Sequence, residues 1–356
     1  MAGIIPFFNL NAIHQEYLND LNEAAARVVA SGNYILGTDS FEEEFSRYVG
    51  SKYTACVASG TAALHLALKA LGIGPGDEVI TVGYTFRATV SAIMYVGASP
   101  VYVDIDSNTF CMDADRIEEA ITSRTKCIIP VHLFGNAVDM PRLMEIANKH
   151  GIPVIEDASQ AHGTTINGKH VGTFGHIGTF SFYPSKNIGA LGDAGCVVTN
   201  DEVMYTKVKA LRNWQVGDVG HNYRMDNIQA AFLSVKLKHY PGILEKKRAV
   251  ASEYSKHLGH VGVKPGVNHS YNIYTVLVDD REEFMKRIAG TVQTRVYYDT
   301  PVSAQSPYIF ESSNGLVHTN SLARKQLSLP IYPGVDVERV VTAMKENGYD
   351  NIRTVL

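Results

Sequence analysis

The stretch KYTACVASGTAALHLALKALG, residues 52–72, holds a strand and a helix with Ser59 and Gly60 between them. KYTACVAS is a short apolar run. TAALHLALKALG has apolar residues at helical spacing and stops at a glycine. The same order recurs downstream. DEVITV reads as a strand and RATVSAIMYVG as a helix; SPVYVDI is a strand and DADRIEEAITS a helix. TKCIIPVHL is a strand, DMPRLMEIANKHG a helix with a terminal glycine, and IPVIEDA another strand. This repeated strand–helix order predicts an α/β fold, a mostly parallel central sheet flanked by helices on both faces. Ligands of such sheets sit at the carboxyl ends of the strands.

Outward from this region the pattern changes. The first 30 or so residues read as a helical arm leading to FEEEFSRYVG. Near residue 236 the alternation ends, and GILEKKRAVASEYSKHL reads as a long helix leaving the first domain. YNIYTVLV, EEFMKRIAG, TRVYYDT and VERVVTAMKENG then suggest a smaller α+β unit. We therefore expect a large domain over residues 1–235 and a small one over 236–356, which suits a chain of 356 residues.

Bulk properties narrow the function. Hydrophobic residues at 45% and charged residues at 19% fit a globular protein with a substantial core. A net charge of -4 argues against nucleic acid as a partner, since phosphate binding leaves a basic footprint. No apolar run reaches membrane-spanning length, and the start lacks the basic and apolar regions of a secretory signal. Cys56, Cys111, Cys127 and Cys196 are scattered without metal-ligand spacing, as in a reduced cytoplasmic protein, and no metal site is expected.

Four motifs fall at predicted strand ends. In ASGTAALHL, Ser59, Gly60 and Thr61 lie where free N–H groups and the helix dipole suit a phosphate, although a simple turn would read the same. The stretch is neither GxGxxG nor a P-loop, which disfavours dinucleotides and nucleoside triphosphates. In IPVIEDASQAHG, Glu156 and Asp157 end a buried strand, where a carboxylate is costly unless it meets a cation, although a helix N-cap or core ion pair would read the same. In SFYPSKNIGALGDAGCVV, residues 181–198, Lys186 follows hydroxyls at Ser181 and Ser185. A lysine sheltered from water has a depressed pKa and can attack carbonyls; alone, it reads better as a surface loop cation. In GYTFRATV, Tyr84 or Phe86 is placed to stack on a ring. Together, a phosphate cradle, a carboxylate after a buried strand and a later lysine are what pyridoxal phosphate requires. The cradle anchors phosphate, the carboxylate keeps the pyridine nitrogen protonated, and the lysine holds the aldehyde as a Schiff base.

The ordered set GTDSFEEEF, SGTAALHLAL, GDEVI, YTFRAT, PVHLFG, EDASQAHG, SFYPSKNIGALGDAG, NYRMDNIQAAFL and LSLPIYPG covers nearly the whole chain. It resembles the DegT/StrS-type family of pyridoxal-phosphate-dependent nucleotide-sugar aminotransferases, of the aspartate aminotransferase fold type I. The resemblance implies that Lys186 is the Schiff-base lysine and Asp157 the carboxylate facing the pyridine nitrogen. It implies that Gln160 lies near the cofactor's ring hydroxyl, and that Gly60, Thr61 and Ser181 hold phosphate. Phe86 would be the stacking aromatic. Asn222 would reach the phosphate of a neighbouring subunit, which implies a homodimer with shared active sites, with Arg224 near the same interface. Tyr183 lies between the phosphate and aldehyde residues and is a substrate candidate.

The implied reaction moves an amino group from L-glutamate to a nucleotide-linked 4-keto-6-deoxy or 3-keto-6-deoxy hexose. Some members carry histidine in place of the lysine and dehydrate instead; Lys186 favours transamination. A cyclitol aminotransferase, or a regulatory protein on a retained scaffold, are the other readings. Two departures stand out. Ala194 replaces a glycine of the family's GDGG, and RVYYDTPVS places Tyr297 and Ser303 where histidines are usual, in a region that shapes the sugar pocket.

Overall fold

The computed structural model describes residues 3–214, 219–259, 261–310 and 315–349. The sheet strands are β1 (Tyr53–Val57), β2 (Glu78–Val82), β3 (Ser99–Val103), β4 (Thr125–Ile128), β5 (Ile155–Asp157), β6 (Ile177–Ser181) and β7 (Gly195–Thr199). Two ladders, β1-β7-β6-β5 and β3-β2-β4, are joined by the parallel bridges Ile128–Val154 and Val131–Asp157. The result is one seven-stranded sheet in the order β1-β7-β6-β5-β4-β2-β3. Only β7 runs against its neighbours, pairing antiparallel with both β1 and β6.

Successive strand residues feed opposite faces, as the two-residue period demands. Cys56, Ile80, Val154, Cys196 and Val198 enter one core, while Ala55, Val57, Val79, Ile155 and Val197 enter the other. Both faces are therefore covered, and the strands read as continuous apolar runs. Helix α1 (Gly60–Ala70) lies within the second core through Ala62, Ala63, Leu64, Leu66, Ala67, Leu68 and Ala70. Alanines on several sides let it sit close to the strands.

A third core gathers Tyr254, Tyr274, Val276, Phe284, Leu327, Leu329, Val340 and Met344 around an antiparallel pair, Tyr274–Leu277 with Gln326–Leu329. Helix α2 (Asn227–His257) runs without interruption across residue 235. Its first half buries Leu233, Leu237, Tyr240 and Leu244 in the sheet's core, and its second buries Ala251 and Tyr254 in the third core. Pro241 lies inside it. The proline is exposed, so water can meet the carbonyl it frees while the buried face holds the helix together. The N-terminal segment also joins the third core: Ile5 donates to the Thr291 carbonyl and accepts from Gln293.

Two sequence expectations are shortened. DADRIEEAITS forms a 3-10 turn, Ala114–Arg116, and a helix of one turn, Ile117–Ala120. TRVYYDT contributes only an isolated bridge from Arg295 to Ser328. Among the described residues the four cysteines are free and buried, and no helix is long and apolar enough to cross a membrane.

Candidate active site

A cavity of about 520 Å³ opens at the carboxyl ends of the strands, lined by the segments that follow β1, β2, β4, β5 and β6. Gly60, Thr61, Phe86, Asp157, Gln160, Ser181, Tyr183 and Lys186 all line it. Asn222 and Arg224 do not. Asn222 is exposed and bridges to Asn213, and the Arg224 guanidinium donates to Asn213 Oδ1 at 2.6 Å.

The β1 end supplies a helix N-terminus. Ser59 is extended at φ -168° and caps α1 by accepting from Ala62 N at 3.1 Å. Ala63 N donates to the Ser59 carbonyl, while the Gly60 and Thr61 amides have no acceptor among the described residues. These orphan donors and the helix dipole face the cavity and suit an anion. Close packing places them there. A Cβ on Gly60 would stand 2.7 Å from Ser181 Cβ, and one on Gly195 would stand 2.7 Å from Gly60 N. The glycines of the lysine loop thus serve the approach of protein to protein.

The two adjacent carboxylates have different tasks. Glu156 is fully buried and turned away from the cavity. It accepts from Gly172 N at 2.7 Å, and from Phe174 N and Gly175 N at 2.6 Å each. His132 Nδ1 accepts from Val138 N, so its Nε2 carries the proton and donates to Glu156 at 2.9 Å. Burial alone would raise the Glu156 pKa, but these donors hold it below the usual carboxylate range. Asp157, one residue on, faces the cavity. It accepts from Thr89 Oγ1 at 2.8 Å and Ser159 N at 3.2 Å. Thr89 is in turn 3.0 Å from Thr85 Oγ1, one helical turn back.

Gln160 is held at both ends of its amide. Oε1 accepts from Phe134 N at 2.8 Å, and Nε2 donates to the Tyr298 hydroxyl at 3.1 Å. Of the two aromatic candidates, Tyr84 is fully buried and donates to the Tyr297 carbonyl. Phe86 is 51% exposed and stands on the cavity wall.

Lys186 sits in a loop closed at its base. Phe182 N donates to the Ala194 carbonyl and Ala190 N to that of Phe182, both at 2.7 Å, and Lys186 N donates to the Tyr183 carbonyl at 2.8 Å. Ala194, the departure in GDGG, thus contributes through its carbonyl. Lys186 borders the cavity and is partly exposed to it. Surrounding protein nonetheless lowers its pKa to about 8, against the opposing pull of Asp157.

These groups fit pyridoxal phosphate: unsatisfied amides for phosphate, a carboxylate for a pyridine nitrogen and a low-pKa amine for an aldehyde, around one cavity. Sequence reasoning missed Thr85, Thr89, Tyr298, Asn272 and Phe8. The threonines had a signal, hydroxyls four apart at a helix start. Tyr298 stands beside Tyr297 in RVYYDTPVS, whereas Asn272 and Phe8 come from distant parts of the chain and had none. Of the two departures, Tyr297 lines the cavity, whereas Ser303 packs under it, where a Cβ on Gly83 would lie 2.6 Å from its hydroxyl.

Comparisons with known proteins agree. Residues 15–345 match the DegT/DnrJ/EryC1/StrS aminotransferase family. A UDP-N-acetyl-3-dehydro-alpha-D-glucosamine 3-aminotransferase of Acidithiobacillus ferrooxidans is 39% identical over 350 residues, covering 94% of this chain and 95% of that protein. The crystal structure of Streptomyces venezuelae DesV in complex with a ketimine intermediate has a TM-score of 0.94 at 36% identity, covering 98% of this chain and 100% of that one. The structure of Bacillus subtilis NtdA with bound cofactor PMP has a TM-score of 0.90 at 32% identity, covering 98% of this chain and 86% of that one. The strand-end cavity, the fold and these matches over almost the full length agree, and the chain belongs to the DegT/DnrJ/EryC1/StrS aminotransferase family.

Proposed function

We propose that this protein is a pyridoxal-phosphate-dependent aminotransferase that moves the amino group of L-glutamate onto a nucleotide-linked keto-deoxy-hexose. The observation that carries the reading is the meeting of the Lys186 amine, the Asp157 carboxylate and the α1 N-terminus around one cavity. The relatives' names supply the sugar class; the keto group at C3 or C4 of a 6-deoxy sugar is our assignment. The bound cofactor supplies an electron sink for the bond changes at the amine-bearing carbon.

The chain's own groups would do the rest. The Gly60 and Thr61 amides and the Ser181 hydroxyl would hold the phosphate. Asp157, steadied by Thr89 and Ser159 N, would hold the pyridine nitrogen in its protonated form. Gln160 would meet the ring hydroxyl, and Phe86 would cover one ring face. Lys186 would bind the aldehyde and, once freed, move a proton at the reacting carbon as general base and then acid. A pKa of about 8 leaves an appreciable neutral fraction near neutral pH. Tyr183 and Tyr297 would border the sugar.

We assign the active unit as a homodimer. Asn222 is exposed and lies off its own cavity, as a residue that serves a neighbour's phosphate would. Tyr34, Ile35, Leu36, Leu191 and Trp214 are exposed apolar side chains on the segments beside it. We assign the compartment as cytoplasmic, on four reduced, buried cysteines.

The test is Lys186→Ala. Reconstituted wild type should absorb near roughly 400 nm and form 2-oxoglutarate from glutamate. The variant should do neither, and a variant that kept both would refute the assignment. A panel of keto-sugar nucleotides offered with glutamate and scored by product mass identifies the acceptor.

A further inference from the structure

Asn272 precedes the strand Tyr274–Leu277 and belongs to the part of the chain that builds the third core. It lines the cavity with a side chain only 6% exposed. Its Oδ1 is buried and has no hydrogen-bond partner among the described residues. Buried polar atoms are nearly always paired, so an orphan acceptor on a residue that lines a ligand cavity marks a group awaiting a donor.

The position is built rather than incidental. Ser270 N donates to the Gly135 carbonyl at 3.0 Å and Ile273 N to that of Phe134 at 3.1 Å, clamping the backbone on both sides of Asn272. Gly135 has φ +93°, and a Cβ there would lie 2.8 Å from Asn272 N. Only glycine lets the segment approach so closely. Phe134 N also donates to Gln160 Oε1. One turn therefore fixes both Gln160, from the sheet, and Asn272, from beyond it.

We propose that Asn272 is a substrate-binding residue whose Oδ1 accepts a hydrogen bond from a hydroxyl of the nucleotide-linked hexose. The inference rests on the aminotransferase reading and assigns a residue to its second substrate. The chemistry selects the sugar. Away from its reacting amine, glutamate carries only carboxylates, which accept and do not donate at neutral pH. The ring N–H of the cofactor has Asp157. Its ring hydroxyl has Gln160, and the donors left beside the reacting carbon are the hydroxyls of the hexose.

The experiment uses the full-length holoenzyme and Asn272→Leu, which keeps the bulk and removes the acceptor, with Asn272→Ala carrying the same test should the leucine variant fail to fold. The half-reactions are measured apart: glutamate alone, by loss of the visible absorbance, and then dTDP-4-keto-6-deoxyglucose or dTDP-3-keto-6-deoxyglucose offered to the amine-loaded protein. The sugar KM should rise about 10- to 100-fold while the glutamate rate stays within about threefold. The calorimetric dissociation constant of dTDP-glucose, which binds without reacting, should rise with it. The leucine variant should melt no lower than wild type, since no paired group is lost. An unchanged sugar KM, or equal losses in both half-reactions, overturns the assignment of Asn272 alone. A wild type that takes the amine from glutamate but passes it to no dTDP-, UDP- or GDP-linked keto-deoxy-hexose of the panel overturns the substrate reading and this inference with it.

Discussion

Glu156→Gln and Asp157→Asn change neighbouring residues in the same way, yet should fail in opposite ways. Glu156 accepts four hydrogen bonds in a fully buried site, three from backbone amides and one from His132. Glutamine offers one acceptor oxygen, so its NH2 group must face N–H donors. Hydrogen bonds to a charged group contribute roughly 1.5–3 kcal/mol each, and losing two at the amide-nitrogen end should cost about 3–6 kcal/mol. For a chain of this length the entropy of melting makes that about 4–8 °C. Because the Glu156 pKa is lowered by folding, its stabilisation is present above the unfolded value near 4.5 and fades as pH falls through the folded value. The melting temperatures of apo wild type and Glu156→Gln should therefore differ most at pH 6–8 and converge in acid. Asp157→Asn keeps an acceptor for Ser159 N, and the Thr89 hydroxyl can turn to accept from the new NH2 while donating to Thr85, so this variant should melt close to wild type, yet lose the glutamate half-reaction. Thermal melts of the apo-proteins from pH 4 to 8, at one protein concentration, beside stopped-flow absorbance of the holoenzymes, make the comparison. A Glu156→Gln protein with wild-type melting and no turnover would refute the division of labour.

Gly195→Ala should loosen the cofactor's anchor, because its Cβ would lie 2.5 Å from the Ser59 carbonyl carbon and push the start of α1 out of place; equilibrium dialysis with pyridoxal phosphate should show a loss of about tenfold or more. Lys247 is buried on α2 with its amine on Asn187 Oδ1 at 2.6 Å, and burial lowers its pKa to about 7. An unfolded lysine keeps its proton to about pH 10. Wild-type stability should thus rise between pH 7 and 10, and Lys247→Met should melt above wild type at pH 6.5 by an amount that shrinks toward pH 10. With glutamate saturating, the proton-transfer rate of the wild type should climb through about pH 8 as Lys186 loses its proton, and a rate flat from pH 6 to 9 would refute its role as the base.

Much of this was legible because chemistry and fold coincide at strand ends. Glycine after β1, a carboxylate at the end of β5 and a lysine after β6 stand where alternating strands and helices place ligands. Choices between neighbours were not legible. The two-residue period puts Glu156 and Asp157 on opposite faces, but which face carries the cavity depends on what packs beyond the sheet. Tyr84 and Phe86 obey the alternation the other way: both follow β2, and the turn into the next helix separates them. The continuity of α2 through Pro241 was hidden because a proline signals a break, and only the buried residues on either side of it overrule that signal. Asn272 and Phe8 enter from segments with no local motif, so distance in sequence alone concealed them.

The wall of the cavity has two origins. Its floor, with Lys186, Asp157 and the start of α1, belongs to the sheet, whereas Phe8, Asn272, Tyr297 and Tyr298 are borne by segments tied to the third core or bridging to its strands. Mutation can therefore sample the two independently. With the roles proposed above, a change at a floor residue should abolish the reaction for every acceptor, and selection should remove it. A change at the borrowed wall alters which acceptor fits and leaves the reaction available to whatever enters next. Such a scaffold drifts in what it recognises far more readily than in what it does.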